Sequence, residues 1–279
     1  MAAKIAVLSG KGGTGKTLVS VNLALAANKA VYVDCDVEEP NGHLFFKPTT
    51  IKKEDIFVKI PSIDKNLCTG CKKCVEFCKF NALAYAKELI VFDEVCHSCG
   101  GCVMICPQKA LNEKDKFIGT VKTGISENVK TITGELKTGE ASGVPIIKNL
   151  LNKVKDEKEL VFIDCPPGSA CTVMESIADA DFCLLVAEPT VFGSHNLEMV
   201  YELIKVFKKP CAVVLNKTTQ EKNPSEEFCI KNGIIIFQKI PFDQELGELN
   251  SNGKIAVREN YSKKSLFYDL LDKVREAVK

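Results

Sequence analysis

Cys68, Cys71, Cys74 and Cys78 follow one another as C-x2-C-x2-C-x3-C, and the same order returns at Cys96, Cys99, Cys102 and Cys106. Thiolates are soft ligands, and runs with this spacing hold [4Fe–4S] clusters, the fourth cysteine of each run ligating the cluster of the other. The crossing assigns Cys68, Cys71, Cys74 and Cys106 to one cluster and Cys96, Cys99, Cys102 and Cys78 to a second. Zinc is the competing reading, because CxxC pairs also bind it, but two three-plus-one runs fit it poorly. One corner departs from the pattern. Cys106 precedes Pro107, whereas Cys78 precedes Lys79, which loosens that corner and sets a positive charge beside the second cluster.

A second constellation handles phosphate. "SGKGGTGKT" (9–17) directly follows the apolar "KIAVL" and opens "TLVSVNLALAA". Strand, glycine loop and helix N-terminus, in that order, are the context of a P-loop. Gly12, Gly13 and Gly15 let backbone N–H groups approach phosphate oxygens, and the helix dipole favours the negative charge; Gly10 and Thr14 complete the loop. Lys16 is placed for the terminal phosphates and the Thr17 hydroxyl for Mg2+. Asp36, after "AVYVD", and Asp164, ending "LVFID", lie at strand ends, where ligands bind in such sheets. Phosphoryl transfer needs a held metal and an oriented water, and two carboxylates can supply both. Asp34 reads as structural, and Glu38 with Glu39 as a solvated acidic pair.

Six short segments rich in β-branched residues read as buried parallel strands: 4–8, 30–34, 160–164, 182–188, 211–216 and 234–240. Most are separated by helix-length stretches, the βαβ pattern of a parallel α/β sheet. The interval from Asp34 to Leu160 is too long for one crossover, so something is inserted there. Inside it "CTGCKKCVEFCKFNAL" and "CHSCGGCVMICPQKAL" repeat, the mark of a pseudo-symmetric unit built twice. The chain then passes through a polar stretch, "GTVKTGISENVKTITGELKTGEASG", and resumes helical patterning at "VPIIKNLLNKV". The expected organisation is an α/β body in two parts, 1–59 and 118–279, around a small α+β domain at 60–117.

With Lys11 ahead of Lys16, the loop resembles the deviant Walker loop KGGxGK[ST] of the MinD/ParA ATPase superfamily, to which the nitrogenase iron protein is related. The insert resembles a bacterial ferredoxin with two [4Fe–4S] clusters, as in MinD-superfamily ATPases that carry one. The likeness extends to "DVEEPNGHLFF", "GELKTGEASGVPIIKNL", "DCPPGSACTV" and "EPTVFGSHNL", and so covers essentially the whole chain. It implies a parallel-sheet P-loop NTPase fold, hydrolysis of ATP with Mg2+, and an ATP-dependent dimer in which Lys11 reaches the nucleotide of the other subunit. Pairing of two identical chains and pairing with a paralogue both stay open. It further implies that Asp36 positions the attacking water and that Asp164 holds magnesium through water. Gly168, in "DCPPG", would offer its amide to the γ-phosphate, Asn216 of "LNK" would seat adenine, and "IPFD" (240–243) would lie near the base. Cys171, seven residues after Asp164, matches a cluster-holding cysteine of the nitrogenase iron protein, with no clear match to that protein's second one.

The net charge of +1, from 37 basic and 36 acidic residues, leaves no global field for nucleic acid or anionic membrane. No apolar run reaches the length of a membrane span, and "MAAKIAVLSGKGG" lacks the features of a secretory signal. Fourteen cysteines then argue for a reducing, cytoplasmic setting and for metal ligation. Cys35, Cys165, Cys183, Cys211 and Cys229 read as small hydrophobes, and His97 as cover for a cluster. The terminal "SLFYDLLDKVREAVK", with Leu266, Leu270, Leu271 and Val274 on one side, reads as a helix packed on its own sheet. Three functions remain open. One is ATP-gated electron transfer to an unidentified redox partner. Another is ATP-driven assembly or delivery of iron–sulfur cofactors, for which only Cys171 speaks. The third is spatial positioning on membrane or DNA, disfavoured by the charge balance and the insert.

Overall fold

Apolar runs that alternate with helices cover both faces of a sheet, so they pair side by side in its middle. The computed structural model describes residues 3–219, 222–259 and 261–279. Its strands, in chain order, are β1 (Lys4–Leu8), β2 (Ala30–Asp34), β3 (Thr49–Ile63), β4 (Leu83–Tyr85), β5 (Leu89–Val91), β6 (Leu111–Ser126), β7 (Val129–Leu136), β8 (Leu160–Asp164), β9 (Phe182–Ala187), β10 (Cys211–Thr218) and β11 (Ile236–Pro241). β4 and β5 pair alone, and the rest form one sheet in the order β11-β10-β9-β1-β8-β2-β7-β6-β3. From β11 to β7 every pairing is parallel; β6 and β3 add an antiparallel edge. This is a mostly parallel α/β fold. Three of the six expected strands coincide residue for residue, two differ by one or two residues at the C-terminal end, and the last, expected at 234–240, differs at both ends.

The helices are α1 (Lys16–Ala26), α2 (Gly42–Phe46), α3 (Lys73–Phe77), α4 (Gly101–Met104), α5 (Val144–Asn152), α6 (Cys171–Ile177), α7 (Val191–Phe207), α8 (Pro224–Lys231), α9 (Gln244–Ser251) and α10 (Ser265–Ala277). α5 to α8 cover one face of the sheet through Ile146, Val173, Leu197 and Cys229. α1, α2, α9 and α10 cover the other through Leu23, Phe46, Leu246 and Leu270. The terminal helix does pack on its own sheet, but Leu266 is only partly buried and Phe267 takes its place in the stripe. Among the described residues no helix is long and apolar enough to cross a membrane.

The polar stretch after the insert is not loop. It forms the end of β6 and all of β7, joined by a turn at Glu127 and Asn128, with Glu127 at φ 52°. β3 and β6 pair from Thr49 opposite Ile125 to Ile63 opposite Leu111. Residues 60 and 117 both fall inside this ladder, and the cysteine repeats occupy its outer end. Ile56, Ile118 and Val121 reach the core beneath α5, Ile60 and Leu111 are buried toward the outer end, and residues 49–55 of β3 are solvated. A lysine-rich edge strand of this kind resists pairing with other chains.

Candidate functional site

The glycine loop closes over the sheet because β1 ends at Leu8 and α1 begins at Lys16. Gly13 (φ 79°) and Gly15 (φ 96°) are left-handed, and a Cβ on Gly15 would collide with the Asn216 amide. The loop is held from beneath. Asn216 Nδ2 donates to the Thr14 carbonyl at 2.8 Å, and Lys217 Nζ donates to the Gly13 carbonyl at 2.7 Å. A cavity of about 370 Å3 lies above it, within the ordinary range for small-molecule sites. Lys11, Gly12, Gly13, Gly15, Lys16, Thr17, Asp36 and Asn216 line it, as do Pro241, Phe242 and Asp243 of the "IPFD" segment. The structure thus brings together most of the residues singled out for nucleotide. Gly10 and Thr14 lie below the lining: Gly10 is pressed against the Asn196 backbone of α7, and the buried Thr14 hydroxyl has no hydrogen-bond partner among the described residues. The glycine loop, with Lys16 at the cavity, fits a bound phosphate chain, and Thr17 offers an oxygen suited to Mg2+; Asp164 is fully buried behind Lys16 and does not line the cavity.

Lys16 Nζ donates to Asp164 Oδ1 at 2.6 Å, and the Tyr32 hydroxyl donates to Oδ2 at 2.8 Å. Burial pulls the Lys16 pKa down, but the charge and hydrogen bond of Asp164, together with the charges of Asp36 and Asp34, outweigh it, and the net shift is upward. Asp34 accepts from the backbone N–H groups of Asp36, Asn41 and Gly42, which supports its structural reading. Burial, with Asp164 nearby, nonetheless raises its pKa. Asp36 is pushed up to about 6, chiefly by burial; Lys16 opposes the shift, and Asp164 and Glu39 add to it. Glu39 is solvated, as expected, yet borders the cavity. Gly168 (φ 89°) does not line the cavity; its N–H donates to the Ser9 carbonyl at 2.9 Å. Lys11 is ion-paired with Glu188.

The cysteines form two separate cavities. One is lined by Cys68, Cys71, Cys74 and Cys106, the other by Cys78, Cys96, Cys99 and Cys102. These are the sets that the crossed spacing assigns. The halves are alike in detail: the Ala82 N–H donates to Cys78 Sγ and the Ala110 N–H to Cys106 Sγ, each at 3.3 Å. Left-handed residues recur at matching positions, Gly70 with Ser98, Lys72 with Gly100, and Asn81 with Lys109. Among the described residues no three His, Cys, Asp or Glu side chains converge on a point that would hold a single ion. The four thiols of each cavity surround a space, and that donor set fits a cluster better than a lone metal. Burial pushes Cys102 up to about 11, with Cys96 adding to the shift, so its thiolate needs a cation beside it. His97 stacks on Phe80 at 3.9 Å and both line the second cavity, in keeping with a covering role.

Of the remaining cysteines, Cys35, Cys165, Cys183 and Cys229 are buried and Cys211 is partly so; burial raises Cys183 and Cys229 to about 12, which suits inert core thiols. Cys171 is exposed at the start of α6. Sequence reasoning passed over Lys217, Glu188 and Tyr32. Lys217 and Glu188 sit inside quoted motifs, and Tyr32 is the one aromatic residue in an otherwise aliphatic strand.

A family model described as CobQ/CobB/MinD/ParA nucleotide binding domain matches residues 5–257. The chain is similar to an uncharacterized protein of Methanocaldococcus jannaschii, 31% identical over 99% of this chain and 97% of the relative. It is similar to an iron-sulfur cluster carrier protein of Pyrococcus horikoshii, 26% identical over 99% of this chain and 86% of the relative. Its fold is similar to that of the cell division ATPase MinD of Pyrococcus furiosus, with TM-score 0.64, 19% identity and coverage of 99% and 100% of the two chains.

Proposed function

This chain belongs to the CobQ/CobB/MinD/ParA nucleotide-binding family, and from that premise we propose that it hydrolyses ATP with Mg2+ to gate electron transfer from two [4Fe–4S] clusters to a partner protein. Residues 1–59 and 118–279 form the ATPase, and 60–117 hold the clusters. The observation that carries this reading is the pair of four-thiol cavities beyond the ends of β3 and β6, in one chain with the phosphate-loop cavity. When bound, such clusters supply one-electron reduction and reoxidation.

In this reading Lys16 leaves Asp164 to bind the terminal phosphates, Thr17 and the freed Asp164 hold Mg2+, Asp36 orients the attacking water, and Asn216 lies near the base. Lys11 acts across a dimer, which requires it to leave Glu188. Gly168 can meet a γ-phosphate only by releasing Ser9, so that hydrogen bond is a natural switch. The segment after β2 is tied to β6 through β7: the Leu136 N–H of β7 donates to the Val37 carbonyl at 2.7 Å, Leu136 lies opposite Gly119 of β6, and the Lys137 N–H donates to the Ile118 carbonyl at 2.9 Å. A rearrangement there reaches β6, a strand that leads directly from the thiols.

Full-length protein loaded anaerobically with radiolabelled iron tests the proposal. ATP-dependent reoxidation by an acceptor protein, with all label retained, is the expected result. Transfer of label into an apo-acceptor would instead establish the second reading, cluster assembly or delivery. That reading is favoured by the exposed Cys71, Cys99 and Cys171 and by a relative named as an iron-sulfur cluster carrier.

The role given to Asp36 requires its carboxylate, so ATP turnover should fall as pH drops through about 6, with a one-proton slope. Stability runs the other way. Between 3.8 and about 6 the folded state binds a proton that the unfolded state has released, so stability falls as pH rises through that window. Asp36→Asn should therefore lose turnover yet melt no lower than wild type above pH 6. A pH–rate profile and thermal melts check both.

A further inference from the structure

β2 and β8 run parallel with Tyr32 level with Phe162 and Asp34 level with Asp164. Alternate residues share a face, so Tyr32 is the diagonal neighbour of Asp164 across the ladder. Its hydroxyl donates to Oδ2 while Lys16 donates to Oδ1, and both Tyr32 and Asp164 are fully buried. The ring is locked in place. Phe46 packs at 4.9 Å between centroids, and any Cβ on Gly42 would collide with the ring and its hydroxyl. Burial first, and then Asp164, hold the phenol pKa well above its ordinary value, so it stays a donor.

Nothing in the packing requires that hydroxyl. A phenylalanine would fill the same aliphatic layer, and burying a phenol is costly unless its O–H finds a partner. The partner it finds is one oxygen of a carboxylate whose terminal torsion is otherwise soft. Tyr32 is the donor that stays on Asp164 when Lys16 turns to the phosphates, so the carboxylate is kept from swinging. We propose that Tyr32 is a positioning residue for magnesium binding: its hydroxyl fixes the orientation of Asp164 so that, once Lys16 leaves Oδ1 for the phosphates, that oxygen is already aimed at the Mg2+ and its water. The inference rests on the reading above in which Asp164 holds Mg2+.

Tyr32→Phe in the full, cluster-loaded chain tests it, with Mg2+ titrated against binding of a fluorescent ATP analogue. The half-saturating Mg2+ concentration should rise by about 10–100-fold, the usual effect of losing a partner behind a metal ligand. Affinity for the analogue in EDTA and the iron content should not change. Gly42→Ala, which forces the ring aside by a different route, should raise the Mg2+ requirement in the same direction and decides the matter if Tyr32→Phe fails to fold. A wild-type Mg2+ requirement in either folded variant overturns the inference. Equal losses with and without Mg2+ overturn it too, since they mark damage to the loop. Wild-type protein whose nucleotide binding ignores Mg2+ would sink the underlying ATPase reading instead.

Discussion

Lys16→Ala should cut ATP turnover by about 10²–10³-fold, the cost of removing one preorganised charge donor from a phosphoryl-transfer site, and should destabilise the fold as well. The two effects have different causes. The Lys16 side chain is 8% exposed and Asp164 is 0% exposed, with 2.6 Å between the charged atoms. Deleting the lysine leaves a buried carboxylate with Tyr32 as its remaining side-chain donor, and breaking a buried pair from one side costs about 3–5 kcal/mol. Because the net Lys16 shift is upward, the lysine keeps its charge throughout the neutral range and loses it only in strong alkali, so the penalty shows in full at pH 7. Adding Asp164→Asn should recover most of the lost melting temperature and none of the turnover. A double variant that melts like Lys16→Ala would show that the pair is not what holds this corner.

Cys106→Ala and Cys78→Ala should each lose about half of the iron, and their combinations with other variants discriminate more sharply. Cys71 shares its cavity with Cys106, not with Cys78. Hence Cys71→Ala with Cys106→Ala should lose no more iron than Cys71→Ala alone, whereas Cys71→Ala with Cys78→Ala should lose nearly all of it. If each run instead held its own metal, the outcomes would be reversed. Iron analysis and the EPR spectrum of the dithionite-reduced protein read this directly. The large effect follows from folding as much as ligation: Cys68, Cys74, Cys78 and Cys106 pack against one small core of Leu83, Leu89, Cys102 and Leu111, and a lost centre leaves that core little else to close on.

Parts of this molecule are legible in one dimension because their physics is local. β1, β2 and β8 match expectation to the residue, since each is a short apolar run with a hard stop at a glycine loop or an aspartate. The phosphate loop reads equally well, because left-handed glycines ahead of a helix define it within nine residues. β3, β6 and β7 do not read. Their ladder is lysine-rich, with one solvated face, and register irregularities between Thr49 and Lys52 and between Ile56 and Phe57 break the two-residue alternation. Tyr32 escapes for another reason: its partner Asp164 lies 132 positions away, and no spacing within AVYVD announces it.

The chain by itself determined what could be ligated and what could be cradled: eight thiols in two crossed runs, a glycine loop with two lysines, and acidic residues at strand ends. Those follow from residue type and short spacing, which backbone geometry turns into sites almost independently of the rest. Only the tertiary structure decided which donor answers which acceptor. It gave Asp164 to Lys16 and Tyr32, Lys11 to Glu188, and the Gly168 amide to Ser9. Those pairings join strands and loops far apart in the chain, and a buried polar group takes its partner from whatever packing brings within reach.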